Sequence, residues 1–302
     1  MMRGLWLALT PFLFAEPPLP ITSIRFSPDG RTLAIAQGNR VRLVAEHSDR
    51  TIPSRLAQVF AVAWSGDGKW LAAGGGSAAV FGGVEIWDAA SGQLVRTVAR
   101  CGDLVYAVAF SPDSQRLAAA SADQRATIVD LASGDTRFRL SGHVGPVLSV
   151  AYSSDGQWLA TGSADRSIRL WSASAGTPLR ALTNHNGAVE AVVFSHDNQT
   201  LYSASSDATV RVWVPSNGRM RRILRGYDQP VLALEFLASR QLLLTGSADG
   251  SVRLAHPETG EVVETIAKQA SAWSQAVAVS ADGAKIAWAD TSGRHTIRGA
   301  NP

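Results

Sequence analysis

The sequence predicts an all-β chain folded as a closed seven-bladed β-propeller of four-stranded antiparallel blades. Three observations predict it. A unit of about 42 residues recurs seven times. Each copy holds four short runs of strand character separated by turn residues at fixed places. No stretch holds a helical period over a dozen residues. A unit of this size cannot bury its apolar faces alone, so the copies must stack on one another, in a ring or a row.

The first strands open the copies: "ITSIRFSPDG" from 21, "VFAVAWSGDG" from 59, "VYAVAFSPDS" from 105, "VLSVAYSSDG" from 147, "VEAVVFSHDN" from 189, "VLALEFLASR" from 231 and "SQAVAVSADG" from 274. They are almost wholly apolar, and their third position is always small: Ser23, Ala61, Ala107, Ser149, Ala191, Ala233 and Ala276. Small side chains at one place in seven strands suit convergence on an axis. The turn that follows, as in Pro28-Asp29-Gly30, supplies a preset φ, a side chain that bonds nearby backbone and a residue tolerant of positive φ. Second strands such as "WLATGS" and third strands such as "SIRLW" flank an Ala-Asp turn. Fourth strands such as "DTRFRL" and "RMRRIL" alternate charged and apolar residues, as an outer edge does to discourage foreign pairing.

Composition bounds the function. With 46% hydrophobic and 18% charged residues the chain is globular. The net charge of +3 arises from 28 basic and 25 acidic residues spread along the chain, so nucleic acid is not implied. One cysteine, Cys101, excludes an intrachain disulfide and any zinc site of several thiolates. The six histidines are isolated, with no HExxH, so no metal or other cofactor is expected and catalysis finds no constellation. The glycine-rich "GGGSAAVFGG" from 74 has no helix or Lys-Ser/Thr pair behind it; it reads as a turn insertion in blade two rather than a phosphate loop. The basic run "RMRRILR" (219–225) reads as a solvated outer strand, with an acidic partner or phosphate surface as the alternative.

At residues 20–300 the units resemble those of the WD-repeat family of β-propellers. That resemblance implies a hydrogen-bonded tetrad in each complete blade: His before the first strand, Ser or Thr in the second, Asp in the next turn, Trp in the third. Blade four offers His143, Ser163, Asp165 and Trp171; blade five offers His185, Ser205, Asp207 and Trp213. Other blades depart from the pattern. Blade three has Cys101 and Val129, blade six has Tyr227 and Ala255, and blade two keeps Trp87 and Asp88 but has Arg55 at the His position. Tol-type periplasmic propellers share "FSPDG", but the six-residue step from Asp to Trp and the "RLW" and "EIW" third strands favour the WD type.

The resemblance further implies a noncatalytic platform for other proteins. The expected contact residues lie on the face carrying the connections into the first strands: Phe60, Leu104, Tyr106, Glu190, Trp273 and Gln275, with Phe81 in the blade-two insertion. Inter-blade packing is the alternative role for each. A small-ligand or glycan binder and a propeller enzyme at the central channel mouth are the competing readings; convergent aromatics there favour the former, convergent acids and histidines the latter. A monomeric ring without a membrane span in the mature chain is expected.

Residues 1–15 admit two readings. Arg3, the uncharged run Gly4 to Phe14 and cleavage after Ala15 make an export signal, leaving 16–302 as a single propeller in the periplasm or outside the cell. Alternatively the chain stays cytoplasmic, and "LTPFLF" (9–14) supplies the fourth strand that blade seven lacks in the sequence. The absence of charge favours export.

Overall fold

A computed structural model describes residues 18–269 and 272–300. Both readings of residues 1–15 fall outside the described residues. Seven antiparallel sheets form in chain order, each a simple meander. Blade one runs Ile21–Phe26, Thr32–Gln37, Arg40–Ala45 and Ser48–Pro53. Six blades have four strands; blade seven has three among the described residues, Ser274–Val279, Lys285–Asp290 and His295–Gly299. The described residues contain no helix, and so none long and apolar enough to cross a membrane.

There is no single core. Each seam between neighbouring blades buries its own apolar cluster, such as Ala160, Ile168 and Leu170 of blade four against Val189, Val192 and Trp213 of blade five. The seam between the last and first blades is built in the same way, with Ala276, Ala278 and Ala287 against Ile21, Ile24 and Leu33. Polar contacts reinforce this closure: the Gln275 amide donates to the Ile21 carbonyl at 2.6 Å, and Lys285 Nζ to the Gly30 carbonyl at 3.1 Å. The small third-position residues border the central channel, where Ala61, Ala107, Ala191, Ala233 and Ala276 also pack into the seams beside it.

The turn chemistry explains the recurrent Ser and Asp. Ser27 Oγ donates to Asp29 Oδ1 at 2.6 Å, the same oxygen accepts from Arg31 N–H at 3.1 Å, and Gly30 takes φ 67°. Blades two, three, four, five and seven repeat the Ser–Asp pair.

The glycine-rich stretch of blade two is not a turn insertion. The second strand, Trp70–Ser77, and the third, Phe81–Asp88, run through it, leaving only 78–80 as the turn. Packing demands Gly75, Gly76 and Gly82. A Cβ on Gly75 would run into the Gln58 carbonyl, and one on Gly82 into the Asp103 carbonyl.

A clamp that the sequence pattern conceals recurs around the rim. In the fourth strand of blade two, Arg96 donates to the Ala132 carbonyl in the last hairpin of blade three, at 3.2 Å. Arg180 repeats this from blade four to Ser216 and Arg222 from blade five to Thr259. Arg50 reaches Ala89 and Ala90 from blade one. The four occupy equivalent registers opposite apolar third-strand residues: Leu43, Ile86, Leu170 and Val212.

Candidate functional site

Two blades contain complete buried polar networks, and their hydroxyl members differ from the expectation. In blade four, His143 Nδ1 meets Asp165 Oδ2 at 2.8 Å, while His143 Nε2 meets Thr161 Oγ1 at 2.8 Å. The Trp171 indole N–H donates to the same Thr161 oxygen at 2.9 Å. Thr161, not Ser163, completes the set. Blade five repeats the geometry with His185, Asp207, Trp213 and Ser203, and not Ser205. The reason is strand register. Trp171 lies opposite Leu159, so Thr161 is two residues away along the strand and Ser163 four, roughly 13 Å at 3.3 Å per residue. Ser163 instead serves the turn, donating to the Gly145 carbonyl and accepting from Asp165 N–H, each at 3.1 Å. Ser205 likewise accepts from Asp207 N–H.

The carboxylate fixes the histidine tautomer. Facing Asp165, Nδ1 carries the proton, so Nε2 accepts from Thr161 and the hydroxyl oxygen is left to the indole. Burial lowers the His143 and His185 pKa, outweighing the neighbouring carboxylates, and keeps both rings neutral. Burial pushes Asp165 and Asp207 up, but hydrogen bonds win. Those from Ser167, Val144 N–H and His143 hold Asp165 at about 2; those from Thr209, His185 and Asn186 N–H hold Asp207 at about 2.

Other blades improvise. In blade six the Tyr227 hydroxyl meets Thr245 Oγ1 at 3.0 Å, spanning the same eighteen residues as His143 to Thr161, and Arg253 lies 4.8 Å over the Tyr227 ring while pairing with Asp249. In blade two Glu85, 1% exposed, accepts from Ser54 Oγ and Arg55 N–H. A glutamate amid the apolar run "VEIW" was the available signal for it. Blade three has no such network; burial first, then the Asp123 charge, pushes the Cys101 thiol up to about 11.

The connections into the first strands and the turns between second and third strands share one face, here called upper. Phe60, Tyr106, Glu190 and Gln275 converge there at the mouth of the central channel, joined by Thr22 and Leu148, around a cavity of about 140 Å³. Phe60 and Tyr106 pack edge to face with ring centroids 5.4 Å apart. Ser206 Oγ donates to Glu190 Oε1 at 2.5 Å, orienting the carboxylate. Trp273 and Phe81 stand outside the mouth on the same face, 56% and 43% exposed. Ala79 N–H holds the Phe81 hairpin to Asp103 at 2.9 Å. Leu104 does not join them. It precedes the first strand of blade three, its carbonyl accepts from Ala122 N–H at 2.8 Å, and it is 8% exposed.

The lower mouth differs in character. Arg25 of blade one reaches past blade seven to Glu235 of blade six, Nη2 to Oε1 3.1 Å, beside a wider cavity of about 530 Å³ lined by Trp64, Phe110 and Tyr152. Burial raises the Glu235 carboxyl and Arg25 opposes it. Among the described residues no three His, Cys, Asp or Glu side chains are grouped as metal ligands.

This architecture is matched by known families. A family model described as the IFT122 first beta-propeller matches residues 104–297, and one described as WD domain, G-beta repeat, matches 47–80. The chain belongs to the WD-repeat β-propellers. Similar proteins include Protein tipD of Dictyostelium discoideum, 31% identical over 91 residues, which are 30% of this chain and 14% of that protein. Another is the uncharacterized WD repeat-containing protein sll1491 of Synechocystis, 33% identical over 131 residues, 42% of this chain and 36% of that one. The chain thus spans a minor part of either relative. Propellers of this family are typically protein-interaction scaffolds and generally noncatalytic.

Proposed function

We propose that this chain is a noncatalytic scaffold whose upper face, centred on the channel mouth, grips a segment of another protein. The observation that carries the reading is the convergence of Phe60, Tyr106, Glu190 and Gln275 on a cavity of about 140 Å³, flanked by the exposed Phe81 and Trp273. Small-molecule pockets usually enclose about 300 Å³ or more. The mouth suits one inserted side chain, and the outer aromatics add anchoring area of the kind that dominates interfaces. The aromatic pair also favours a second reading, a small planar ligand seated against Phe60 and Tyr106. Alanine variants separate the two: partner binding depends on Phe81 and Trp273, whereas a ligand confined to the mouth depends on Phe60 and Tyr106 alone.

On the sequence, export is the proposed localisation, since residues 4–14 carry no charge. N-terminal sequencing of the protein from its native cell tests it: a start at Glu16 supports export, and an intact Met1 or Met2 in a cytosolic fraction contradicts it.

A further inference from the structure

Four consecutive outer strands, Leu94–Cys101, Thr136–Ser141, Pro178–Leu182 and Arg219–Leu224, contain eight arginines and no acidic residue. The outer strands of blades one and six are mixed, with Asp49 beside Arg50 and Glu264 near Lys268. Arg96, Arg180 and Arg222 are accounted for as inter-blade clamps. The other five, Arg100, Arg137, Arg139, Arg219 and Arg221, are exposed. Arg137 and Arg139 on blade three, and Arg219 and the adjoining Arg225 on blade five, are exposed and make no side-chain hydrogen bond or ion pair among the described residues. Arg221 has only Glu258, at 3.8 Å. Between these two basic faces the outer strand of blade four shows Leu179, 48% exposed, and Ala181. One or two charges protect a strand edge. Five cations flanking the exposed Leu179 exceed that need.

We propose that the rim from blade three to blade five binds an extended acidic segment of another polypeptide, its carboxylates on the two arginine faces and an apolar residue on Leu179. This surface is separate from the upper-face site. Its shape chooses the occupant. Seven blades in a ring turn the outward faces of blades three and five about 100° apart, so a flat anionic bilayer cannot touch both. A single nucleic-acid strand draws much of its affinity from bases stacked on aromatic rings. These outer strands carry only Phe138, half-buried against its own seam. A flexible peptide can bend around the arc, and guanidinium groups pair with its carboxylates in bidentate geometry.

The probe is a fluorescein-labelled peptide of about ten residues, glutamates flanking two central leucines, which spans roughly 33 Å when extended. Fluorescence anisotropy with the full chain is expected to show saturable binding that weakens about tenfold or more between roughly 50 and 200 mM salt. The variant Arg137→Glu/Arg219→Glu/Arg221→Glu is expected to weaken binding at least about tenfold at unchanged melting temperature, and Leu179→Glu to weaken it also. Phe81→Ala/Trp273→Ala is expected to bind the probe like the parent, which separates this site from the upper face. No saturable binding, or an unchanged Kd in the triple variant, overturns the proposal. So does tighter binding of an oligothymidylate or of phosphatidylserine vesicles to the same arginines.

Discussion

Replacing Thr161 by Val keeps the shape and β-propensity of the side chain and removes only its hydroxyl. That oxygen accepts the Trp171 indole N–H at 2.9 Å and pairs with His143 Nε2 at 2.8 Å, all among buried atoms. Two buried polar groups then lose their partners, each at about 1–3 kcal/mol, so the loss is about 2–6 kcal/mol. Ser163→Ala removes a hydroxyl serving the Gly145 carbonyl and the Asp165 amide in a part-buried turn, worth about 1 kcal/mol. Urea unfolding of the two variants, followed by tryptophan fluorescence and circular dichroism, measures the difference. The Trp171 indole proton, followed by NMR, should exchange faster with solvent in Thr161→Val and keep its parent rate in Ser163→Ala. Equal losses, or a larger loss in Ser163→Ala, would refute the assignment of Thr161 to the network.

The carboxylates of the same networks predict the response to acid. His143 and His185 are held below their ordinary 6.5, so the unfolded chain takes up protons first and stability declines as pH falls below about 6.5. Asp165 and Asp207, depressed to about 2, contribute stability above their ordinary 3.8 that is lost as pH falls from about 4 toward 2. Melting curves from pH 8 to 2 check both windows; a flat profile across them contradicts the burial of the histidines and the hydrogen bonds to the carboxylates. Asp165→Ala and Asp207→Ala should each cost about 1–3 kcal/mol by unpairing buried donors, measured by the same unfolding curves. Gly75→Ala and Gly82→Ala should each destabilise by more than about 2 kcal/mol, since each new Cβ meets backbone that cannot yield without shifting a strand. Arg96→Ala and Arg180→Ala, whose clamps are solvent-exposed, should each cost under about 1 kcal/mol in melting experiments.

The strand meander and its turns were legible because they are local: Ser27, Asp29 and Gly30 meet within one tight connection. His143, Asp165 and Trp171 were legible as a spaced set, whereas their hydroxyl partner was not. Choosing Thr161 over Ser163 requires knowing that Trp171 pairs with Leu159, a register the sequence does not print. The rim clamps were hidden for a similar reason. Their acceptors are backbone carbonyls 36 or 37 residues ahead in the next blade, which leave no residue signature. Gly75, Gly76 and Gly82 looked like part of a turn because composition alone does not distinguish a flexible connection from a place where two backbones crowd. At the upper face, the first position after the opening residue of each first strand did lead to the channel mouth for Phe60, Tyr106, Glu190 and Gln275. Leu104 failed because it precedes that strand and is buried.

The most direct measurement is the affinity of a partner isolated from the native source for the full chain, by isothermal titration calorimetry with the parent and with Phe81→Ala, Tyr106→Ala and Trp273→Ala. These side chains lie at the upper face, and two are exposed, so the variants should melt close to the parent temperature. Each is expected to weaken binding by about tenfold or more, the loss of about 1.4 kcal/mol or more that an aromatic anchor supplies. Arg222→Ala, on the outer rim, should leave that affinity nearly unchanged. Parent-like affinity in all three aromatic variants, or a larger loss in Arg222→Ala, would place the partner elsewhere on the ring.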